Sequence, residues 1–381
     1  MRKVAVLFGG RSCENEISVL TGVFVMNVLD RAAYEILPVY IGMDGGFYTS
    51  KMMFSLESFQ KGNYEKFYPI FFNKGTVYAL NVKKGRIKPL FQPEVILNCC
   101  HGGLGEGGGV SALAEWEGIP LASPDITPSA IFMDKCLTKV VLRGLDIPIV
   151  DYIRVNEGDY KKRGAFLLKR IESRLKYPVI VKPAHLGSSI GITVANNEEE
   201  AKQAIDTAFQ LDNRILIEKY LPHKVDVNCA AYSLNGEIIL SEPEYAFGEG
   251  FYSFEEKYVR RVSDGVQGKA RQGDFTENDR GRYALKGELR DKIRAYTRTV
   301  YKRMDLKGVV RMDFLVEGGK VYLCEVNTVP GSLAYYLFCE KVTDARAFFG
   351  ALIEDAVKNG RQVDKKIPST GILKTASITR K

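Results

Sequence analysis

Two apolar runs that end in glycine constrain this chain most. Val4-Ala5-Val6-Leu7-Phe8 runs into Gly9-Gly10, and the segment from Pro93 to Cys100 runs into His101-Gly102-Gly103. Neither run alternates polar with apolar residues. Each therefore suits a strand covered on both faces, the setting of a parallel sheet. Ile17, Leu20, Phe24 and Val28 recur at helical spacing after the first run, and Glu35 to Tyr40 reads as another strand. A β-loop-α-β opening predicts an α/β domain.

The rest of the chain divides on turn signals. Residues 43–92 hold short aromatic strands between Gly-rich turns, expected as an excursion at the domain edge. Val110 to Glu117 reads as a helix, and Ser123-Pro124-Asp125 with Thr127-Pro128 reads as a boundary. Ser129 to Leu142 is expected as one helix carrying Lys135. Tyr177 to Pro183 is a strand carrying Lys182. After it come a small-residue loop, Gly187-Ser188-Ser189-Ile190-Gly191, a strand over 192–194, and a helix from Glu198 to Phe209. The strand from Ile215 to Leu221 is expected to open the last domain, and residues 248–282 read as a mobile loop. The expected units are 1–123, 124–214, 215–350, and a C-terminal helix with a basic tail over 351–381.

Composition narrows the function. A chain of 381 residues exceeds what one core serves, and 45% hydrophobic residues exclude disorder. The 54 basic and 46 acidic residues leave a net +8, of which residues 361–381 supply +5. The body is near neutral, which argues against a nucleic-acid partner. No apolar run reaches the ~18 residues of a membrane span, and five apolar residues after Met1-Arg2-Lys3 are too few for a signal peptide. Seven cysteines without a CxxC pair read as reduced thiols of a cytoplasmic protein. The three histidines lack zinc-site spacing.

Chemistry-bearing residues cluster late in the chain. Asp313 lies on one expected strand; Glu325 and Asn327 alternate on another and so share a face. Two carboxylates and an amide oxygen are hard ligands suited to Mg²⁺ on a polyphosphate. Arg311 shares the face of Asp313 and could neutralise a transferring phosphoryl group. A surface strand of alternating charge would carry the same letters. Lys135 and Lys182 are singly ordinary lysines. The loop after Lys182 lacks bulk and can wrap phosphates with backbone N–H groups, although no Walker A pattern is present. Glu218-Lys219-Tyr220-Leu221 has the form of a strand edge for an adenine.

In order along the chain, these segments resemble one family. They are Gly9 to Ser18, His101 to Glu106, Met133-Asp134-Lys135, Val181-Lys182-Pro183 with Gly187 to Gly191, Glu218 to Leu221, Glu256-Lys257-Tyr258, Arg311 to Asp313, and Glu325 to Gly331. The chain resembles the ATP-grasp carboxylate–amine ligases, most closely the D-alanine–D-alanine ligase family, over residues 3 to about 345. The resemblance implies an ATP-grasp fold in which two α+β units clamp ATP beside an N-terminal α/β unit. It implies ATP, two Mg²⁺ ions (Mn²⁺ in their place), amino-acid substrates and a homodimer.

The same resemblance distributes roles. Lys135, Lys182, Ser189 and Lys257 would meet ATP, with Glu218, Lys219 and Leu221 at adenine and Asp226 at ribose. Asp313, Glu325 and Asn327 would hold the metals. Glu14 would take the first ammonium, with Ser188 and Tyr258 bonded to it. Arg311 and the Gly331 N–H would stabilise the oxyanion. His101, Tyr336 and Leu337 would line the substrate site. The chain departs from the family at Gly107, at Ser111, in residues 259–282 and at Tyr336, where a small hydroxyl is usual. ATP-dependent ligation of D-alanine to D-alanine for peptidoglycan is the leading expectation. A ligase with another acceptor, a non-catalytic nucleotide-binding protein and a nucleic-acid-binding protein stand as alternatives.

Overall fold

A computed structural model describes residues 1–81, 84–246, 285–359 and 370. The expected loop over 248–282, with Lys257 and Tyr258, lies outside the described residues, as does nearly all of the tail. Three sheets carry the architecture. The first has eight strands in the order β6-β5-β4-β3-β2-β1-β7-β8. These are β1 (Arg2–Gly9), β2 (Tyr34–Ile41), β3 (Phe47–Thr49), β4 (Tyr68–Asn73), β5 (Thr76–Asn81), β6 (Arg86–Phe91), β7 (Val95–Asn98) and β8 (Leu121–Ala122). β1 pairs in parallel with β2 and β7, and Val4 to Phe8 are fully buried, as the two apolar runs predict. The aromatic strands β3 to β6 form the expected excursion at the domain edge. They extend the same sheet antiparallel from β2.

Helix α1 (Asn15–Val28) covers one face of this sheet. Its buried side differs from the expected stripe: Val19, Val23 and Met26 are buried, whereas Leu20 is exposed. The expected stripe assumed one buried face. In fact α1 is covered on several sides, by β1, by the 331–337 turn and by the C-terminal helix. A short α2 (Glu57–Gln60) and α3 (Val110–Glu117) complete the unit.

The expected helix over 129–142 is two helices, α4 (Ile126–Met133) and α5 (Lys135–Gly144). Asp134 breaks it. Its backbone is extended and its side chain accepts the N–H groups of Cys136 (2.8 Å) and Leu137 (3.1 Å). Such an N-cap contributes about 1 kcal/mol, and it sets Lys135 at the first turn of α5.

The second sheet, β11-β10-β12-β9, comprises β9 (Tyr152–Asn156), β10 (Val179–Pro183), β11 (Thr193–Ala195) and β12 (Arg214–Lys219), backed by α6 (Glu157–Arg174) and α7 (Glu198–Phe209). This corrects the expected boundary at 214/215. β12 lies inside this sheet between β10 and β9, so it neither opens the last unit nor forms a sheet edge. An isolated apolar run does not encode its partner. The third sheet contains β13 (Val225–Leu234), β14 (Glu237–Leu240), β15 (Glu244–Tyr245), β16 (Val309–Glu317) and β17 (Lys320–Asn327), with α8 (Gly287–Arg303) against it. The last helix, α9 (Ala345–Asn359), starts before the expected boundary at 351. Its Phe348, Phe349, Leu352 and Ile353 join Phe24 and Val25 in one core, so it belongs to the body. Burying each such side chain is worth about 1.5–3 kcal/mol.

Candidate active site

Loops from the first and second sheets meet around Glu14. Ser12 holds the base of this loop: its hydroxyl donates to His101 O (2.8 Å) and accepts the Glu14 N–H (2.9 Å). Ser188 Oγ donates to Glu14 Oε1 at 2.5 Å. Ser188 and Ser189 have φ of +53° and +61°, so the small-residue loop turns through the left-handed region. Two glycines are sterically required here. A Cβ on Gly187 would stand 2.3 Å from Glu14 Oε2, and one on Gly102 2.5 Å from the same atom. The carboxylate is thus enclosed by backbone that no side chain could line.

A second set of contacts fixes the segment after β17. His101 is buried, and burial lowers its imidazole to about 4, so the ring is neutral. Its Nδ1 lies 2.7 Å from Val329 O, a carbonyl that can only accept; Nδ1 therefore carries the proton. Nε2 then accepts from Thr21 Oγ1 (2.8 Å), and Thr21 Oγ1 in turn accepts the Ser332 N–H (3.1 Å). Glu106 ties the same segment from the glycine-dense loop, accepting the N–H groups of Gly102 (2.8 Å) and Val329 (3.2 Å). Burial, then the charge of Glu14, raises the Glu106 carboxyl to about 7. Residues 331–337 form a 3₁₀ turn in which Ser332, Leu333 and Ala334 all have φ near +50°. Left-handed backbone costs about 1–2 kcal/mol per residue, and this relay of hydrogen bonds offsets it.

The lysines are buried and paired. Lys182 Nζ lies 2.5 Å from Glu218 Oε2, and Lys139 Nζ lies 2.6 Å from Glu218 Oε1. The Lys139 contact has ion-pair distance without hydrogen-bond alignment. Burial alone would raise the Glu218 carboxyl, yet Lys139 and Lys182 hold it at about 2. Burial pulls the Lys182 ammonium down, but Cys324 and Glu218 outweigh that and leave it raised. Lys135 Nζ donates to Leu186 O (2.6 Å) and Glu325 Oε1 (3.0 Å), bridging α5, the small-residue loop and β17.

Arg311 forms a fork on Asp313: Nε donates to Oδ1 (2.7 Å) and Nη2 to Oδ2 (2.9 Å). Its Nη1 donates to the Tyr336 hydroxyl at 2.9 Å. Asn327 Nδ2 donates to Asp313 Oδ2 (3.0 Å). In the β16–β17 ladder Asp313 stands opposite Glu325, and the register shifts at the next residue. That irregularity lets Cys324 approach Lys182 (Sγ 3.7 Å) from the strand that also carries Glu325.

Most of the expected site residues therefore converge, with several qualifications. His101 spends both ring nitrogens on the protein, so it positions the 329–332 segment. Leu337 is buried in the core shared by α1 and α9. Asp226 pairs with Lys224 at the start of β13. Leu221 is buried against Val150 and Leu315, and Lys219 is exposed at the end of β12. Nothing lies within 4 Å of a Cβ built on Gly331. Sequence reasoning missed Thr21, Lys139 and Cys324, and gave Glu106 no role. Only Lys139 had a signal, a lysine at i+4 from Lys135 on one helix face.

The sequence profile described as D-ala D-ala ligase N-terminus matches residues 3–124, and that described as D-ala D-ala ligase C-terminus matches residues 141–358. The chain belongs to the D-alanine–D-alanine ligase family. Relatives named D-alanine–D-alanine ligase include one from Thermosipho africanus, 31% identical over 345 residues covering 89% of this chain and 88% of that protein. Another, from Caldicellulosiruptor bescii, is 32% identical over 377 residues, covering 94% and 96%. The crystal structure of D-alanine–D-alanine ligase from Helicobacter pylori superposes with a TM-score of 0.74 at 26% identity, covering 95% of this chain and all of that one. The fold is accordingly the ATP-grasp fold of that family.

Proposed function

We propose that the protein is an ATP-dependent ligase that joins D-alanine to D-alanine for peptidoglycan through an acyl phosphate. The observation that carries this reading is the Ser188–Glu14 contact. It closes a phosphate-type loop onto a carboxylate suited to an ammonium, beside two buried lysines and Arg311. Glu14 would hold the first substrate's ammonium. The first substrate's carboxylate oxygen attacks the γ-phosphorus of ATP, and ADP leaves. The second substrate's amine then attacks the activated carbonyl, and phosphate departs with the C–O electron pair. Lys135, Lys182 and Ser189 would receive the phosphates, with Glu218, Lys219 and Leu221 at adenine and Asp226 at ribose. Arg311 and the Gly331 N–H would face the oxyanion. Lys257 and Tyr258 keep their implied roles at ATP and at Glu14.

Asp313, Glu325 and Asn327 fit divalent metal by donor chemistry, since all offer hard oxygens from neighbouring strands. Arg311 and Lys135 neutralise the two carboxylates in this structure. Mg²⁺ or Mn²⁺ held there would neutralise polyphosphate charge. We place the protein in the cytoplasm, as a homodimer, on the strength of its ATP substrate and its seven free cysteines. Trp116, 89% exposed, and Leu104 mark a face of the first sheet's unit for a second copy. Among the described residues no helix is long and apolar enough to cross a membrane.

A second reading has its own observation. Tyr336, bonded to Arg311, places a phenol beside the oxyanion residue, and such a ring reshapes the acceptor side. The acceptor would then be an amine other than D-alanine. A matrix of D- and L-amino-acid pairs with ATP and Mg²⁺, read by product mass and phosphate release, decides. A dominant D-alanyl-D-alanine product supports the first reading. A better acceptor, restored to D-alanine by Tyr336→Ser, supports the second. No product with any pair would overturn both.

A further inference from the structure

A cavity of about 580 Å³ opens on the first sheet's unit, between the start of α1, the β2–β3 turn and residues 64–67. That is within the size range of small-molecule sites. Its walls are aromatic: Tyr40, Tyr48, Tyr64 and Phe67 line it. Three of these rings pack on one another, with centroids 5.9 Å apart for Tyr40–Tyr64, 5.6 Å for Tyr64–Phe67 and 6.1 Å for Tyr40–Phe67. Its charged lining is wholly acidic, Glu16 and Asp44. Among the described residues no lysine, arginine or histidine pairs with either carboxylate, and none lies over any of the four rings. Asp44 is nonetheless a positioned anion. Tyr48 donates to its Oδ2 (2.5 Å) and the Gly46 N–H to its Oδ1 (2.9 Å), which hold its carboxyl below the usual range.

Aromatic faces with nearby carboxylates form the environment that attracts organic ammonium ions. The ring quadrupoles and the anions act together on a cation, whereas a neutral ligand of the same shape gains only the apolar contact. We propose that this cavity binds a small organic ammonium ion, at a site separate from the one built on Glu14. Ser12 and Cys13 line it, but the Glu14 carboxylate does not. The two sites nevertheless share a wall, because Ser12 also accepts the Glu14 N–H and donates to His101 O.

The test uses the full chain with choline and n-butylammonium as probes, and their neutral isosteres 3,3-dimethylbutanol and n-butanol, in calorimetric titrations at low salt. At least one cation should bind saturably, and its neutral isostere about tenfold or more weaker. Asp44→Asn and Tyr64→Leu should each weaken the cation about tenfold, while circular dichroism and ligase turnover without probe stay as in the parent chain. Raising the ionic strength should weaken the cation and leave the isostere unchanged. Failure of both cations to bind, equal binding by their isosteres, or unchanged affinity in both variants would overturn the proposal. Ligase turnover reports separately, so loss of one reading does not disturb the other.

Discussion

Replacing Lys139 with Met tests the buried charge cluster that joins α5 to β12. The Lys139 and Glu218 side chains are 1% and 2% exposed, and their charged atoms lie 2.6 Å apart. Removing one partner of a buried pair costs about 3–5 kcal/mol when the other is left alone. Here Lys182 still pairs with Glu218 at 2.5 Å, so the loss should be smaller. A carboxyl held at about 2 rather than 4.5 has its ionised form favoured by about 3 kcal/mol. Two lysines share that effect, and losing one should cost on the order of 2 kcal/mol. For a cooperative unit of ordinary size this lowers Tm by about 4–8 °C. Because the folded carboxyl is depressed, its stabilisation is full above pH 4.5 and is lost as pH falls through about 2. The Tm difference between parent and variant should therefore be full at pH 7 and shrink in acid. Scanning calorimetry of Lys139→Met, Glu218→Gln and the double variant at pH 7 measures the coupling, expected at about 1–3 kcal/mol. Additivity within about 0.5 kcal/mol would refute a direct Lys139–Glu218 interaction.

Three further outcomes follow from the site. His185 sits between Asp134 and Asp212, whose hydrogen bonds raise its imidazole to about 9; the stabilisation is full below pH 6.5 and disappears as pH rises through 9. With the ring 40% exposed, solvent screening leaves about 1 kcal/mol, so His185→Gln should lower Tm at pH 6 and barely at pH 9.5. Thr21→Val keeps shape but deprives the Ser332 N–H and His101 Nε2 of their partner; stability should fall by about 1–3 kcal/mol and kcat by about tenfold, with KM for ATP unchanged in steady-state assays. Asp313→Asn should abolish turnover and remove saturable Mn²⁺ binding in titrations followed by electron paramagnetic resonance, while thermal unfolding stays cooperative; parent-like Mn²⁺ affinity would sink the metal assignment.

What could be read before folding was local. The strand cores Val4–Phe8 and Val95–Leu97 declared themselves because strands covered on both faces carry few polar residues. The helix over 198–209 declared itself because the Glu-rich first turn and the period-3.6 alanines satisfy both capping and burial. The ordered residue set from Glu14 to Gly331 pointed to a family, and the matches over 3–124 and 141–358 bear this out. Strand partnership was not legible. β12 has the composition of an opening strand, yet its backbone pairs with β9 and β10, whose facing residues lie 58 positions earlier at Asn156–Arg214 and 34 positions earlier at Lys182–Leu216.

The sequence alone determined the parallel α/β opening, the small-residue loop after Lys182 and the face shared by Glu325 and Asn327, because each depends on neighbours a few residues away. Only the tertiary structure decided that Asp134 splits a helix so that Lys135 reaches Glu325, that Lys139 and Lys182 share Glu218, and that Thr21 and His101 hold Ser332 and Val329. Those contacts join residues up to 311 positions apart. Whether a lysine is solvated or buried against a carboxylate is a property of what the fold brings to it, and no local pattern of side chains records that.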